Sequence, residues 1–378
     1  MIELLVGIWD YVIPFLIILT VLVFVHEMGH YLVARRNRVR IETFSIGFGP
    51  ELFGWHDRLG TRWKFSAFPL GGYVKMFGEM ETPEESEKEN ALTPEEKAVS
   101  FSHKRLSQRA AIVVAGPAAN FLFAIVVFAL LFALVGQPYT PPDIGTVQPG
   151  SAAEDAGLKP GDIMRRIDGT AINRFEDIQR VVRLNTGTPL ELVVERNGRE
   201  EVTVTVTPRM VEVKDRFGAV RLIPQLGISR AGVVFVRQGP GMALWEGAKE
   251  TVSFTFLTLK AVTQMIVGTR TAEDLSGPIG IAQMSGEAAR GGLATMVWFM
   301  AILSINLGII NILPIPLLDG GHLFFYGIEA MLRRPPSARV REIGSRLGLA
   351  FVLTLMIFAT WNDLVRLPVA DYVRGLFS

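Results

Sequence analysis

The sequence predicts a polytopic α-helical membrane protein with four transmembrane helices, a membrane-associated cytoplasmic β-hairpin region and an extracytoplasmic soluble domain of mixed α/β type. Three observations carry that expectation. Hydrophobic residues make up 49% of the 378 and charged residues only 20%. Four stretches are apolar over most of the length that a bilayer core demands, about 20 residues per helix. Arg and Lys gather in alternate connections, so that four spans put every basic cluster on one side.

Tyr11 to Val25 runs apolar into HEMGH and on to Ala34, while Ala110 to Gly136 and Gly292 to Leu318 contain no charged residue. Leu347 to Trp361 is shorter. Flanking Arg346 and Arg366 can snorkel and Trp361 can sit at an interface, which makes it a fourth span. The clusters Arg35, Arg36, Arg38 and Arg40, then Lys104, Arg105 and Arg109, then Arg333, Arg334, Arg339, Arg341 and Arg346 mark the cytoplasmic side. Both termini and residues 137 to 291 then lie outside. The first span has Glu3 and Asp10 where a signal peptide carries basic residues, and no small-residue cleavage site follows, so it is expected to stay as an anchor. Val252 to Gly268 has Lys260 at its centre and a polar stripe, which predicts a helix lying on the membrane surface.

The 38 basic and 37 acidic residues nearly cancel, which gives no field suited to nucleic acid. The absence of Cys removes disulfides, thiolate metal sites and thiol nucleophiles, so His and carboxylates must hold any metal.

Between the first two spans, residues 41 to 76 alternate apolar and aromatic runs with glycine, the pattern of strands and turns. Gly78 to Ser100 holds eight Glu against two Lys and reads as a solvated loop. The expected division is 1–35 first helix, 36–107 cytoplasmic loop with hairpin and acidic segment, 108–137 second helix, 138–212 soluble domain, 213–291 connector with an interfacial helix, 292–332 third helix, 333–346 basic loop, and 347–378 fourth helix and tail. Within 138–212, PGSAAEDAGLKPGDIMRRIDGTAI precedes a helical stretch and two alternating runs joined by Asn197-Gly198, a hairpin signal. The AGLKPGD and IDG elements make this segment resemble a circularly permuted PDZ domain of bacterial proteases. Such a domain can bind a peptide end by strand addition or act as a steric filter.

The chemistry lies in HEMGH. On a helix, His26 and His30 share a face and can reach one ion, with Glu27 beside them to deprotonate a water for attack on a carbonyl. Ionisable groups at the end of a span are a functional hypothesis by default. Two His leave a zinc site one protein ligand short. Asp319, beside two glycines where the third span breaks at Pro314 and Pro316, lies at the matching depth provided that Val252 to Gly268 does not cross.

HEMGH in a first span, an external PDZ domain and NILPIPLLDGG in a later span together resemble the site-2 protease family of intramembrane zinc metalloproteases, of the bacterial regulator-of-sigma-E type. SHKRLSQRAAIVVAGPAANF and SGPIGIAQMSGEAARGG are similar to that family's segments at the same places. One PDZ domain is legible here, where the enterobacterial type carries two. The resemblance implies Zn2+ held by His26, His30 and Asp319, Glu27 as general base, and Asn311 as a residue that positions substrate or polarises its carbonyl. By itself, Asn311 reads as a helix-to-helix hydrogen bond. His322 is three residues past Asp319 and is expected to face water or backbone, His56 and His103 are expected to be solvated, and Asn120 to tie helices together. The resemblance further implies a bacterial inner-membrane enzyme that cuts single-span membrane proteins, such as pre-trimmed anti-sigma factors or remnant signal peptides, with the PDZ domain in the periplasm. A non-catalytic membrane adaptor that captures peptides through the PDZ domain is the alternative.

Overall fold

The computed structural model describes residues 2–79, 92–185, 187–198, 200–214, 220–268 and 276–366. The chain divides into two compact units, Met1–Leu131 with Pro240–Ser378, and Phe132–Gly239.

In the first unit, α1 (Ile2–Arg36) is an apolar helix interrupted only by Pro14. It stops because Arg38 turns left-handed at φ 57, which lets Arg38 N–H donate to the Arg35 carbonyl and Val39 N–H to that of Ala34. β1 (Ile41–His56) and β2 (Arg62–Met76) then form the expected hairpin. Each strand bends, β1 at Gly47 and Gly49 and β2 near Gly71, all three at positive φ. The bends fold the hairpin into four short segments. Residues 41–46 pair antiparallel with 72–76 on one side and lie beside 62–65 on the other, while 51–56 pair antiparallel with 62–66. Thus 62–66 is flanked on both sides, and 72–76 and 51–56 are the edges.

The hairpin docks on α1 through aromatic rings. Phe44 is fully buried and stacks on Trp63 at 4.4 Å, with Tyr31 of α1 edge-on to both at 5.8 and 5.2 Å. Burying such a ring stabilises by about 1.5–3 kcal/mol. Asp57 in the turn fastens the contact. Its carboxylate accepts from Tyr31 Oη at 3.1 Å, Trp63 Nε1 at 3.0 Å, and the backbone N–H groups of Leu59 and Thr61 at 2.8 and 2.9 Å.

α2 (Pro94–Val99) corrects the expectation of a wholly irregular acidic loop: Thr93 and Glu96 form a reciprocal cap that starts this short helix. Residues 80–91 of that loop lie outside the described residues. α3 (Leu106–Leu134) follows, with Pro117 inside it.

The second unit begins with β3 (Gln137–Tyr139), β4 (Ile144–Val147) and the single turn α4 (Ala152–Asp155). β5 (Ile163–Ile167), β6 (Thr170–Ala171), β7 (Leu190–Arg196) and β8 (Glu200–Val206) make one sheet in the order β6-β5-β7-β8. The predicted Asn197-Gly198 turn joins β7 to β8, both residues at positive φ. α5 (Phe175–Leu184) buries Phe175, Ile178 and Val182 at helical spacing, in the same core as Met164, Ile167, Leu192 and Val194. The unit does not stop at residue 212. β9 (Arg209–Lys214) pairs with β10 (Val220–Gln225), β11 (Ile228–Arg230) completes β4, and β12 (Val234–Val236) completes β3. The expected boundary fell short because these pairings are non-local and leave no local signal.

Back in the first unit, α6 (Pro240–Ile266) begins well before the stretch expected to lie on the membrane surface. Its small residues Ala243, Gly247 and Thr251 are buried, and Gly247 lies against the backbone of Ile125 and Ala129 in α3. α7 (Pro278–Arg290) is capped from a distance: Gly277 and Gly280 N–H donate to the two oxygens of Asp363 at 3.0 and 2.8 Å. α8 (Leu293–Ile312) and α9 (Asp319–Leu332) occupy the stretch expected as the third span and are separated by a break. The Thr258 hydroxyl of α6 donates to Asn306 of α8 at 3.1 Å. With the approach at Gly247, this packs α6 alongside two apolar helices, which differs from a helix resting only on a bilayer surface. α10 (Ala338–Arg366) carries Asp363 and starts earlier than expected, so that Arg339, Arg341 and Arg346 belong to a helix and not to a loop. Four helices among the described residues are long and apolar enough to cross a membrane: Trp9–Arg36, Leu106–Leu134, Leu293–Ile312 and Arg339–Val365.

Burial alone would raise the Asp57 pKa, but the hydrogen bonds from Trp63, Thr61, Leu59 and Tyr31 outweigh it and hold the pKa at about 2. Since the folded value is depressed, the stabilisation is complete above the ordinary aspartate range, about 4, and is lost as pH falls toward 2. Asp57→Asn is therefore expected to lower the thermal midpoint of the detergent-solubilised protein at pH 7. The gap from wild type should close between pH 4 and pH 2, as followed by tryptophan fluorescence.

Candidate metal centre

The site rests on how closely two helices approach. In α1, Gly29 sits between the two histidines of HEMGH, and a Cβ there would lie 2.2 Å from the Ala115 carbonyl oxygen of α3. In α3, a Cβ on Gly116 would lie 2.2 Å from Nε2 of His30 and 2.9 Å from Cε1 of His26. Glycine at both positions lets the backbones come together, as small residues do where membrane helices cross closely. The lack of a side chain at Gly116 also uncovers the carbonyl one turn earlier, at Ile112. That oxygen accepts from His30 Nδ1 at 2.8 Å.

His26 and His30, four residues apart, present both Nε2 atoms to one point, 3.2 Å from each other. Asp319 is the first residue of α9, and its Oδ2 lies 3.2 Å from His26 Nε2 and 3.4 Å from His30 Nε2. Both histidines are buried, and Oδ2 has no hydrogen-bond partner among the described residues.

The break before α9 puts Asp319 in place. Pro314 and Pro316 withhold two N–H groups, and Leu317 takes φ 101, a conformation that strains any residue but glycine. Gly320 lies so near the Ile312 and Leu313 carbonyls that a Cβ would be 2.2 and 2.1 Å away, so α9 folds back directly on the end of α8. Gly348 of α10 closes on Pro316 in the same way. Arg109 of α3 pairs with Glu329 and lies over the Tyr326 ring, which anchors α9 further along.

This donor set fits a tetrahedral zinc ion. Bond lengths of about 2.0–2.1 Å imply ligand-to-ligand edges of about 3.3–3.4 Å, close to the three separations observed. With His30 protonated on Nδ1, its Nε2 offers a lone pair toward a carboxylate oxygen that has no donor. Facing acceptors repel one another, and a cation at their centre relieves the repulsion.

Glu27 is part-buried beside this triangle. Gly72 of β2 lies against Val23 and Glu27, and the Glu27 carboxylate takes a backbone hydrogen bond from Val74. The edge segment 72–76 thus runs past the Glu27 carboxylate. Of the residues expected to act, the structure brings together His26, Glu27, His30 and Asp319. Asn311 is half-buried at the end of α8 and makes no hydrogen bond to these four among the described residues. His322 is exposed on α9, His56 bonds to Arg62, and His103 bonds to Ser100 and Ser102.

Sequence reasoning missed the face of α3. Ile112, Gly116 and Asn120 recur every four residues and lie along the histidine pair, with Asn120 Nδ2 3.1 Å from His26 Nδ1. Asn120 also ties helices as expected, since Ser304 of α8 donates to its backbone carbonyl at 2.9 Å. The available signal was a Gly-Pro pair and an Asn inside an otherwise apolar span.

Comparison with known proteins finds relatives over nearly the whole chain. The model of peptidase family M50 matches residues 14–355. The chain is 43% identical over 360 residues to an Agrobacterium fabrum protein provisionally named a zinc metalloprotease, covering 94% of this chain and 95% of the relative. It is 45% identical over 363 residues to a Rhizobium meliloti protein with the same provisional name, covering 94% and 96%. It is 38% identical over an alignment of 398 residues to the metalloprotease MmpA of Caulobacter vibrioides, covering 99% and 100%. Among solved structures, the PDZ domain of an SdrC-like protein from Listeria monocytogenes aligns with 24% of this chain and 88% of its own, at 19% identity and a TM-score of 0.20.

Replacing Gly116 by valine fills the space of the His30 ring. The expected result is a folded protein, by helical circular dichroism, that binds zinc at least tenfold more weakly than wild type in chelator competition.

Proposed function

Since the chain belongs to peptidase family M50, we propose that this zinc metalloprotease is an intramembrane endopeptidase that cuts single-span membrane proteins within or near their transmembrane segments. The observation that carries the proposal is the convergence of His26, His30 and Asp319 beside Glu27, three of the four on one helix apolar enough to span a bilayer. A peptide-capturing adaptor has no need of four polar groups at one depth.

His26, His30 and Asp319 would hold the zinc. When bound, the ion supplies Lewis-acid chemistry, polarising a peptide carbonyl and making water more acidic. Glu27 takes the proton from the attacking water and returns it to the departing amine. The histidine pair and Asp319, buried away from bulk water, fix where that attack takes place. Asn311, next to the helix break, is proposed to hold the substrate backbone near the cut.

A transmembrane helix hides its carbonyls in its own hydrogen bonds, so cutting it requires an extended segment. Strand addition to the hairpin supplies one. The register of the hairpin decides which of its segments can do so. Residues 62–66 are flanked on both sides, whereas Gly72 to Met76 is paired with a strand on one side only among the described residues, its other side facing Glu27. A strand added there brings its backbone to the catalytic carboxylate.

The basic clusters favour a bacterial inner membrane with the active site near the cytoplasm and residues 132–239 in the periplasm as a PDZ domain. That domain would screen substrates by size or bind a peptide end. Pre-trimmed anti-sigma factors and remnant signal peptides are the substrates proposed.

The test is cleavage of a single-span reporter without its external domain by purified protein in detergent. Wild type is expected to cut. Glu27→Gln is expected to lose cleavage by a factor of about 10²–10⁴ with zinc retained. Val74→Pro, which removes the N–H that faces Glu27 at that edge, is expected to slow cleavage at least tenfold with zinc unchanged. Equal cleavage by Glu27→Gln and wild type would overturn the proposal.

A further inference from the structure

A neutral imidazole carries one N–H, so a histidine that gives its Nε2 lone pair to a metal must keep its proton on Nδ1. For His30 that proton has an acceptor in the Ile112 carbonyl, 2.8 Å away. His26 faces a side chain instead. The Asn120 amide lies 3.1 Å from its Nδ1, turned so that Nδ2 faces the ring. Asn120 is wholly buried, and its Oδ1 has no hydrogen-bond partner among the described residues.

An amide N–H aimed at Nδ1 forces the His26 proton onto Nε2, toward His30 and Asp319, where it blocks the lone pair. A half-turn of the amide exchanges oxygen and nitrogen with almost no change in shape. It gives Nδ1–H an acceptor and the unpartnered Oδ1 a donor in one movement. The backbone of this residue is already fixed, because Ser304 of α8 donates to its carbonyl at 2.9 Å.

We propose that Asn120 is a positioning residue of the metal centre: its side-chain oxygen accepts the His26 Nδ1–H and so fixes the tautomer that presents Nε2 to a divalent metal. The inference rests on His26 being a zinc ligand. α3 thereby orients both histidines, His30 through a backbone carbonyl and His26 through an amide two turns further along. Outer partners of this kind orient metal-binding histidines, and their loss weakens metal affinity by about 10–100-fold.

The test compares wild type, Asn120→Asp, Asn120→Leu and Ser304→Ala in detergent. Zinc affinity is read by chelator competition, geometry from the visible absorption of the cobalt-substituted protein, and stability from the thermal midpoint of the metal-free protein. Aspartate keeps an oxygen and has no N–H, so Asn120→Asp is expected to bind zinc as tightly as wild type or tighter. Asn120→Leu is expected to bind about 10–100-fold more weakly with an altered cobalt spectrum. Ser304→Ala, which loosens the helices and leaves the amide in place, is expected to lower the midpoint without moving zinc affinity. The proposal is overturned if Asn120→Leu binds zinc within twofold of wild type, or if Asn120→Asp loses as much affinity as leucine does. Should the leucine variant fail to fold, aspartate decides alone: wild-type affinity supports the acceptor role, and a tenfold loss refutes it. Wild type that binds no zinc would overturn the zinc site itself, whereas zinc in wild type with indifferent Asn120 variants overturns only this inference.

Discussion

The constraint on which the rest depends is the backbone approach of α1 to α3 at Gly29 and Gly116. A methyl group at either position would lie within 2.2 Å of a carbonyl oxygen or an imidazole nitrogen. Close approach has two effects. It sets the His26 and His30 rings against a helix that offers a carbonyl and an amide at the spacing of the pair, and it buries both rings. A pair of histidines on a helix surface would sample several rotamers. Here their second nitrogens are engaged, and the first nitrogens converge.

The third ligand is placed by a different device, the break between α8 and α9. Two prolines remove donors, Leu317 takes a strained conformation, and Gly320 and Gly321 allow the chain to reverse against its own carbonyls. Non-helical backbone at membrane depth is tolerated where protein covers it. Gly348 of α10 supplies that cover at Pro316. The same break leaves Asn311 near the end of one helix and Asp319 at the start of the next.

Much of this was legible in the sequence, for physical reasons that differ by element. HEMGH states its geometry outright, since four residues make one helical turn. The apolar lengths of the spans follow from bilayer thickness, and Asn197-Gly198 dictates a hairpin. What stayed hidden depends on contacts between distant segments. The extension of the second unit past residue 212 rests on β11 meeting β4 and β12 meeting β3. The split of the hairpin into four segments depends on bends at Gly47, Gly49 and Gly71, whose sequence signal reads equally well as simple turns. The packing of α6 was obscured by Lys260, whose exposed charge suggested a surface helix although Ala243, Gly247 and Thr251 form a buried stripe one turn apart. Asn120 was recognised as a tie between helices, and its second contact, with His26, follows only from the register of α1 against α3.

The most direct measurement is zinc-edge X-ray absorption on the purified protein in lipid. The account predicts one zinc per chain with two imidazole nitrogens and one carboxylate oxygen at about 2.0–2.1 Å, and loss of the oxygen contribution in Asp319→Ala. A site with three imidazoles, which would bring in His322, or a zinc environment unchanged by Asp319→Ala, would contradict it.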